Sequence, residues 1–341
     1  MPRQVTLRDV AEYAGVSVTT VSNVVRDWPY VSPETRLKVK SAIDSLGYSP
    51  HLIAQSLRTG QMNALAFIVP DLSNPYFAEI VGAAEDAAQE QGYTVLVFNS
   101  HEDHEREAAC IRRARRHFVD GLLIAHTAAT PQDSTLWHDS TLPIVAIDRT
   151  PPYYSGASCV MDNVRAGILA TEHLWSLGHQ RIAHIAGPRT VRPARERMEG
   201  YKAALAQHGM VYRTVRNVEH DWNADEGYRA MSALLDAPEH PTAVFASNDA
   251  LAIGALHAID ERGLRVPNDI SVVGVDDIEI SRHLRPPLTT VRQPREDMAR
   301  MAVDLLLRHI REESVDEPVV MLQPELIVRQ STAPYYEGAA S

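Results

Sequence analysis

Residues 6–25 read TLRDVAEYAGVSVTTVSNVV, and this run decides what stands at the front of the molecule. Thr6 is an N-cap, and Asp9 at the third helical position complements the positive end of the helix dipole. Val10, Ala11 and Ala14 continue an apolar face until Gly15, which can take the left-handed conformation of a tight turn. Ser17 then caps a second helix reaching about Val25. Ala11, Gly15, Val16 and Val21 supply the small and apolar residues that a close crossing of the two helices needs, leaving Val18, Thr19, Ser22 and Asn23 exposed. A third helix begins with Ser32 as cap, Pro33 at its first position and Glu34 in its first turn, and stops at Leu46-Gly47. Its Leu37, Val39, Ala42, Ile43 and Leu46 close a three-helix core. An ordinary helical hairpin shows the same pattern, so helix, turn and helix alone leave the function open.

Working outward, the 341 residues are enough for this small domain and a larger one behind it. Hydrophobic residues make up 45% and charged residues 23%, the balance of a globular chain. No stretch of about 20 apolar residues suits a membrane span, and the polar start has no signal-peptide core, so a cytoplasmic protein with no membrane partner is expected. Cys110 and Cys159 are the only cysteines, too few for a disulfide framework. The net charge of −11 argues against nucleic acid at first sight. Its distribution reverses the argument: residues 1–60 carry seven basic and five acidic side chains, the remainder 26 and 39. Charge therefore permits DNA binding at the front and places the acidity behind it.

From about Met62 short apolar strands alternate with helices: ALAFIVP, FAEIVGAAEDAAQEQGY, TVLVFNS, a charged helix and VDGLLIA. This βαβ rhythm implies a parallel sheet covered on both faces. It restarts at Arg181–Gly187 and continues through the helix around Tyr201, Thr242–Ala246 and Ile270–Val275. Two such lobes create a cleft at the carboxyl ends of their strands, where ligands of doubly wound sheets bind.

The opening run, then VSPETRLKV, LGYSP, SNPYFAEI, IDR, LGHQRIAHIAG, RMEGY, ASNDALAIGAL, RVPNDISVVGVDD, PPLTTVRQP and PELIVRQST, closely resembles the lactose and galactose repressor family, in the same order from roughly Val5 to Thr332. The resemblance implies an all-α headpiece (1–49), a hinge helix and linker (50–60), a periplasmic-binding-protein-like α/β core of two doubly wound lobes (61–332) and a short tail (333–341). It assigns lobe one to about 61–162 and 292–325, and lobe two to about 163–291 and 326–332. It implies a non-enzymatic regulator that binds palindromic double-stranded operator DNA as a homodimer.

DNA contacts follow residue by residue. In the recognition helix Val18 suits a thymine methyl, Thr20 and Ser22 suit phosphate or base, and Asn23 suits adenine, with Thr19 less defined. Thr6, Leu7, Ser17, Tyr30, Ser32 and Thr35 match further contact positions. In PHLIAQSLRT (50–59), Leu57 matches the wedge that enters the minor groove and kinks the duplex. Ala54, Gln55 and Arg58 match neighbouring positions, and His51 stands where many members have Asn. A flexible linker is the competing reading of this segment.

For the effector, Arg197, Asn248, Asp276 and Asp148 match polar contacts, Trp222 an aromatic that stacks on a sugar or base, and Tyr76 and Phe77 positions that stack on a purine in one branch. Asp71 and Gln293 complete the set. Two alternatives stay open: Tyr76 and Phe77 as packing alone, and Arg197–Asp276 as a structural ion pair across the cleft. Carboxylates, an amide, a guanidinium and an aromatic plate suit a polyhydroxylated ring, so a sugar or sugar derivative that releases the protein from DNA is expected, with a purine co-repressor as the alternative. After VRQST the remaining residues are too few for the heptads of a tetramerising tail.

Other chemistry finds no support. The run HEDHE (101–105) places His101 and His104 on one helix face, yet reads as a solvated helix start and not a metal site. Asp276-Asp277 has no nucleophile or metal partner, Ser247 and Ser271 lack a nucleophile elbow, and no phosphate-binding Gly-rich loop occurs, so no catalytic residue, metal or cofactor is expected. A sugar-binding transport protein and an enzyme using the cleft are the competing functions. The first should carry a signal peptide and no headpiece, and the second would show turnover.

Overall fold

The computed structural model describes residues 5–25, 28–48, 62–116, 119–127, 142–151, 154–210, 215–217, 221–313 and 319–336. It divides into two units, Met1–Met62 and Asn63–Ser341.

The described residues of the first unit form three helices, α1 (Leu7–Ala14), α2 (Val18–Val25) and α3 (Pro33–Leu46). The caps explain their bounds. The Thr6 amide donates to Asp9 Oδ2 at 2.8 Å while the Asp9 amide donates to Thr6 Oγ1 at 3.4 Å, a reciprocal capping box. Ser17 Oγ accepts from the Thr20 amide at 3.1 Å, and Ser32 Oγ from the Thr35 amide at 3.3 Å. Gly15 (φ 64°) and Gly47 (φ 61°) end their helices in the left-handed region. No atom lies within 4 Å of where a Cβ on Gly15 would stand, so backbone conformation and not a close helix crossing requires glycine there.

Val10, Ala11, Val21, Val24, Val39 and Ala42 form the buried core, with Ile43 and Leu46 packed against it. Leu37, expected in that core, is 70% exposed. It lies two residues before Val39, about 200° round the helix from the 39–42–43–46 stripe, so being apolar did not put it on the buried face.

The second unit holds two six-stranded sheets. In the first, β1 (Ala64–Val69) has β2 (Thr94–Asn99) on one side and β3 (Gly121–Ile124) on the other. The sheet continues through β4 (Ile144–Ile147) and β5 (Ser158–Met161) to β11 (Val319–Leu322), all parallel. In the second, β6 (Ile182–Ala186) lies between β7 (Val215–Asn217) and β8 (Ala243–Ala246), followed by β9 (Ser271–Asp276) and β10 (Thr289–Arg292). The edge strand β12 (Glu325–Ile327) is antiparallel to β10. β10 runs to Arg292 and β12 starts at Glu325, so the second sheet extends one residue past the sequence-based boundary at each of these crossings.

The helices of this unit are α4 (Pro75–Glu90), α5 (His104–Arg116), α6 (Asn163–Ser176), α7 (Arg192–Gln207), α8 (Ala224–Leu235), α9 (Asp249–Glu261) and α10 (Arg295–Ile310). Both faces of β1 are buried: Leu65, Phe67 and Val69 enter one cluster and Ala66 and Ile68 another. That is why β1 reads as an unbroken apolar run.

Glycines pin two helix pairs. A Cβ on Gly167 of α6 would overlap the Arg197 carbonyl oxygen of α7, and one on Gly200 that of Val164. Gly227 of α8 meets the Leu251 carbonyl of α9, and Gly254 that of Ala224, in the same way. The first crossing fixes the backbone of Arg197. The second holds together two helices whose amino ends follow Trp222 and Asn248.

Candidate functional site

The cleft side chains hang from the carboxyl ends of parallel strands and the amino ends of the helices that follow. After β1, Asn74 Oδ1 accepts from the Tyr76 amide at 3.1 Å and Pro75 opens α4, which brings Tyr76 and Phe77 inward. Their rings meet edge to face with centroids 5.1 Å apart, and both are buried. After β4, Asp148 sits in the left-handed region (φ 63°) and accepts from the Tyr76 hydroxyl at 3.0 Å. Burial pushes the Asp148 carboxyl up despite Arg149 and Arg197 nearby, and burial with the Asp148 charge raises Tyr76 well above the ordinary phenol range.

From the second lobe, Arg197 donates from Nε to Asn163 Oδ1 at 2.9 Å and from Nη1 to the Ser247 carbonyl at 2.6 Å. Its Nη1 lies 4.0 Å from Asp276 Oδ1. Arg197 and Asp276 stand on α7 and β9 of one lobe, so their pairing does not cross the cleft. Asp276 accepts instead from Gln293 Nε2 at 2.7 Å, and burial drives its carboxyl upward, with Asp249 and Asp148 adding to the shift and Arg197 opposing it. Asp277 points elsewhere, to Arg292 at 2.8 Å and to Arg329, and these guanidiniums hold its carboxyl below the usual range against the upward push of burial.

Asn248 does two jobs. Its Oδ1 caps α9 through the Leu251 amide at 2.8 Å, and its Nδ2 donates to the Trp222 carbonyl at 3.1 Å. Asp249 is structural: it accepts from Ser281 Oγ and Thr290 Oγ1, each at 2.6 Å, and from the Ile278 amide at 3.1 Å. Trp222 lies against Gly187, where a Cβ would come within 2.5 Å of the indole ring. Two buried polar atoms of this site, Trp222 Nε1 and Gln293 Oε1, have no hydrogen-bond partner among the described residues, an unmet donor and an unmet acceptor.

Eight of the nine sequence-expected effector residues line one cavity: Tyr76, Phe77, Asp148, Arg197, Trp222, Asn248, Asp276 and Gln293. Asp71 does not; its carboxylate is turned to the Ser73 amide at 2.9 Å and the Ser73 hydroxyl at 2.8 Å, closing a local turn. Sequence reasoning missed Asn74, Arg149 and Pro193. Arg149 was in view, as the third letter of the quoted IDR motif. Its guanidinium lies 5.1 Å from the Phe77 ring centre and 5.6 Å from that of Trp222, a cation against aromatic rings of both lobes. The cavity itself is about 20 Å³, room for a water but not for a ring.

The HEDHE run is exposed at His101, Asp103 and Glu105, as a solvated helix start should be, but its other carboxylate finds a partner. Glu102 turns inward and takes both Arg149 bonds, at 2.9 and 3.1 Å, and Glu107, one turn into α5, is buried against His126 at 2.7 Å. A charge run looks solvated until the fold supplies buried partners. Among the described residues no group of His, Cys, Asp and Glu is arranged to hold a metal ion, and no helix is long and apolar enough to cross a membrane.

In the first unit the helix amino ends gather the expected DNA-facing residues. Val18 and Thr19 are exposed at the start of α2, and Ser22 and Asn23 are half-buried further along it. The hydroxyls of Ser17 and Thr20 lie 2.8 Å apart, as do those of Ser32 and Thr35. Thr6 caps α1, Leu7 packs partly against the core, and Tyr30 is 87% exposed. Trp28, not singled out from sequence, stands half-exposed beside Tyr30 with ring centres 6.3 Å apart. His51, Ala54, Gln55, Leu57 and Arg58 lie outside the described residues.

Residues 6–51 match the model of bacterial regulatory proteins, lacI family, and residues 171–332 that of a periplasmic binding protein-like domain. The chain is 36% identical over 328 residues to the ribose operon repressor of Escherichia coli (strain K12), covering 96% of this chain and 99% of that protein. It is 38% identical over 333 residues to the HTH-type transcriptional repressor PurR of Haemophilus influenzae (strain PittEE), covering 96% and 98%. Among solved structures, the Lac repressor dimer bound to operator and the anti-inducer ONPF superposes with a TM-score of 0.87 at 33% identity, covering 97% of this chain and all of that one. The complex of the transcriptional regulator CelR with cellobiose gives 0.73 at 33% identity, covering 96% and 100%.

Proposed function

Because the chain belongs to the lacI family of bacterial regulatory proteins, and is a DNA-binding transcriptional repressor rather than an enzyme, we propose that its cleft binds a neutral sugar whose binding releases the protein from its operator. The protein acts as a dimer, as the Lac repressor does on operator. Two α2 helices then read the halves of a palindromic site through Val18, Thr20, Ser22 and Asn23, while Thr6, Leu7, Ser17, Thr19, Tyr30, Ser32 and Thr35 hold the register on phosphate and neighbouring bases. The hinge residues His51, Ala54, Gln55, Leu57 and Arg58 complete the contact in the minor groove. The reading places the protein in the cytoplasm, with the DNA it controls.

One observation carries the sugar reading: convergent hydrogen-bonding groups (Asp148, Arg197, Asp276 and Gln293) sit beside the faces of Phe77 and Trp222, with the unmet acceptor of Gln293 and the unmet donor of Trp222 among them. A ring bearing hydroxyls on its rim and C–H bonds on its faces meets both demands. The ribose operon repressor among the relatives supports this class. The aromatic pair Tyr76 and Phe77, together with the PurR relatives, favours a purine as the second reading.

The test is a thermal-shift screen of monosaccharides, disaccharides, sugar acids and nucleobases, followed by operator titrations at fixed salt on a site selected from a randomised DNA pool. A neutral sugar should raise the melting temperature and weaken operator binding at least about tenfold, a shift of about 1.4 kcal/mol. A response to purines and no sugar overturns the ligand class, and a ligand that tightens operator binding overturns the direction of control.

A further inference from the structure

Arg149 lines the cleft, yet its side-chain hydrogen bonds go to a carboxylate outside it. Arg149 is 6% exposed, and its guanidinium lies against the rings of both Phe77 and Trp222. Its Nη1 donates to both carboxylate oxygens of Glu102, and its Nε lies 3.7 Å from Asp148. Burial opposes the charge of Arg149, but Glu102 and Asp148 hold its pKa above the ordinary value.

Glu102 does not line the cavity; its side chain, 22% exposed, is held by partners of its own. Its backbone is in the left-handed region (φ 54°), and its amide donates to the Pro70 carbonyl at 2.8 Å. Its Oε2 accepts from Thr127 Oγ1 at 3.2 Å, the Thr127 amide donates to Glu107 Oε2 at 2.7 Å, and Glu107 Oε1 meets His126. An arginine side chain on its own samples many rotamers; one clamped through a carboxylate that is itself fixed does not.

The charge pattern gives the clamp a second effect. Inside the cavity two guanidiniums, Arg149 and Arg197, face two carboxylates, Asp148 and Asp276. A free guanidinium fork at this depth would seek a phosphate or carboxylate on the ligand, because charge-assisted bonds strengthen away from water. Glu102 supplies that anion from the protein.

We propose that Glu102 is a positioning residue for Arg149, which fixes the guanidinium against the two aromatic rings and, by satisfying its charge, makes the cleft select an uncharged sugar over the same sugar bearing a phosphate or carboxylate. The inference rests on the sugar reading above and adds to it the basis of the charge selectivity.

The test uses the full-length protein and two variants, Glu102→Gln and Glu102→Asp, each first checked for native circular dichroism. Affinities are measured by calorimetry for D-ribose, D-ribose 5-phosphate and hypoxanthine. Wild type should bind D-ribose and discriminate strongly against its phosphate. E102Q should lose about tenfold or more in D-ribose affinity and narrow the ribose-to-phosphate ratio by about tenfold or more, the size expected when one charge-assisted bond to a buried group is removed. E102D keeps the charge and should restore the ratio to within about threefold. That rescue separates charge pairing from simple packing.

An E102Q protein with unchanged D-ribose affinity and an unchanged ratio overturns the inference, as does an E102D protein that behaves like E102Q. Should wild type bind hypoxanthine and no sugar, the sugar reading and the charge selectivity built on it both fall. The positioning of Arg149 is then judged on hypoxanthine, with loss in E102Q and recovery in E102D supporting it and equal affinities overturning it.

Discussion

Arg197 is held at three points, by Asn163, by the Ser247 carbonyl and by the indole of Trp222 5.8 Å away, so in the proposed role it would meet a ligand already oriented. Replacing it with methionine keeps the bulk and removes the fork. Arg197→Met should bind ligand at least about a hundredfold more weakly, since it removes charge-assisted bonds and leaves Asp276 with less compensation. Operator binding without ligand should stay close to wild type, giving a repressor that no effector releases; calorimetry and operator titration check the two halves.

His184 allows a pH test. It is buried, its Nδ1 donates to the Phe245 carbonyl at 2.9 Å, its Nε2 lies 3.4 Å from Ser247 Oγ, and burial pushes its pKa down to about 4. The unfolded chain takes up a proton near pH 6.5 and the folded one only near 4, so this neutral imidazole contributes stability above pH 6.5 that is lost as pH falls through that window. The contribution is on the order of 3 kcal/mol. His184→Asn should therefore lose less stability than wild type between pH 6.5 and 4.5 in urea titrations. Equal pH slopes for the two proteins would contradict it. The buried Asp249 and Asp276, whose pKa values are raised, act in the opposite sense, losing stability as pH rises, and are common to both proteins.

Residues of this kind were legible because polar side chains at strand ends stood out against apolar runs. Arg149 and Glu102 were not, since their meaning depends on a pairing 47 positions apart in the chain.

Among the elements, the glycine-pinned helix pairs do most to place the site. Crossing α6 over α7 at Gly167 and Gly200 sets Asn163 and Arg197 side by side, and crossing α8 over α9 at Gly227 and Gly254 sets Trp222 beside Asn248. A methyl group at any of these positions meets a backbone carbonyl, which cannot rotate away. Gly167→Ala should cost about 1–3 kcal/mol or more, the range for overpacking, and lower the melting temperature by several degrees. Ligand affinity should fall with it, because the displaced atom belongs to Arg197 itself.

Helix starts were readable from Thr6, Ser17 and Ser32, whose short side chains have a local reason to be there. The crossings were not, because a glycine inside a helix looks the same in sequence whether it packs against backbone or faces water. Leu37 marks the related limit: composition named it apolar, and only the angular position about α3 shows it exposed.

At the level of the molecule, the cleft is closed to about 20 Å³, so a ligand enters only when the lobes part. Among the described residues, bonds that involve no cavity-lining residue also span them. Arg192 Nη1 on α7 donates to Thr150 Oγ1 at 3.0 Å, and the Glu279 amide donates to Glu79 Oε1 at 3.0 Å. Thr150→Ala removes the first without touching a cavity-lining side chain. Ligand should then both associate and dissociate faster, by a few-fold each, with a smaller change in equilibrium affinity; stopped-flow tryptophan fluorescence separates the rates.

The two-lobed architecture was legible from the restart of the βαβ rhythm. The exchange of strands near the end was given only by likeness to a known family, since Val319–Leu322 and Glu325–Ile327 are too short to announce which sheet each joins. That exchange bears on how the protein is made. β11 completes one sheet and β12 the other, so on the ribosome neither lobe has its full set of strands until almost the whole chain has emerged, whereas the three-helix unit is finished at the outset. At about 5–20 residues per second the interval is tens of seconds. A message broken shortly before its end would thus yield a chain whose first unit is whole and whose two sheets each lack an edge.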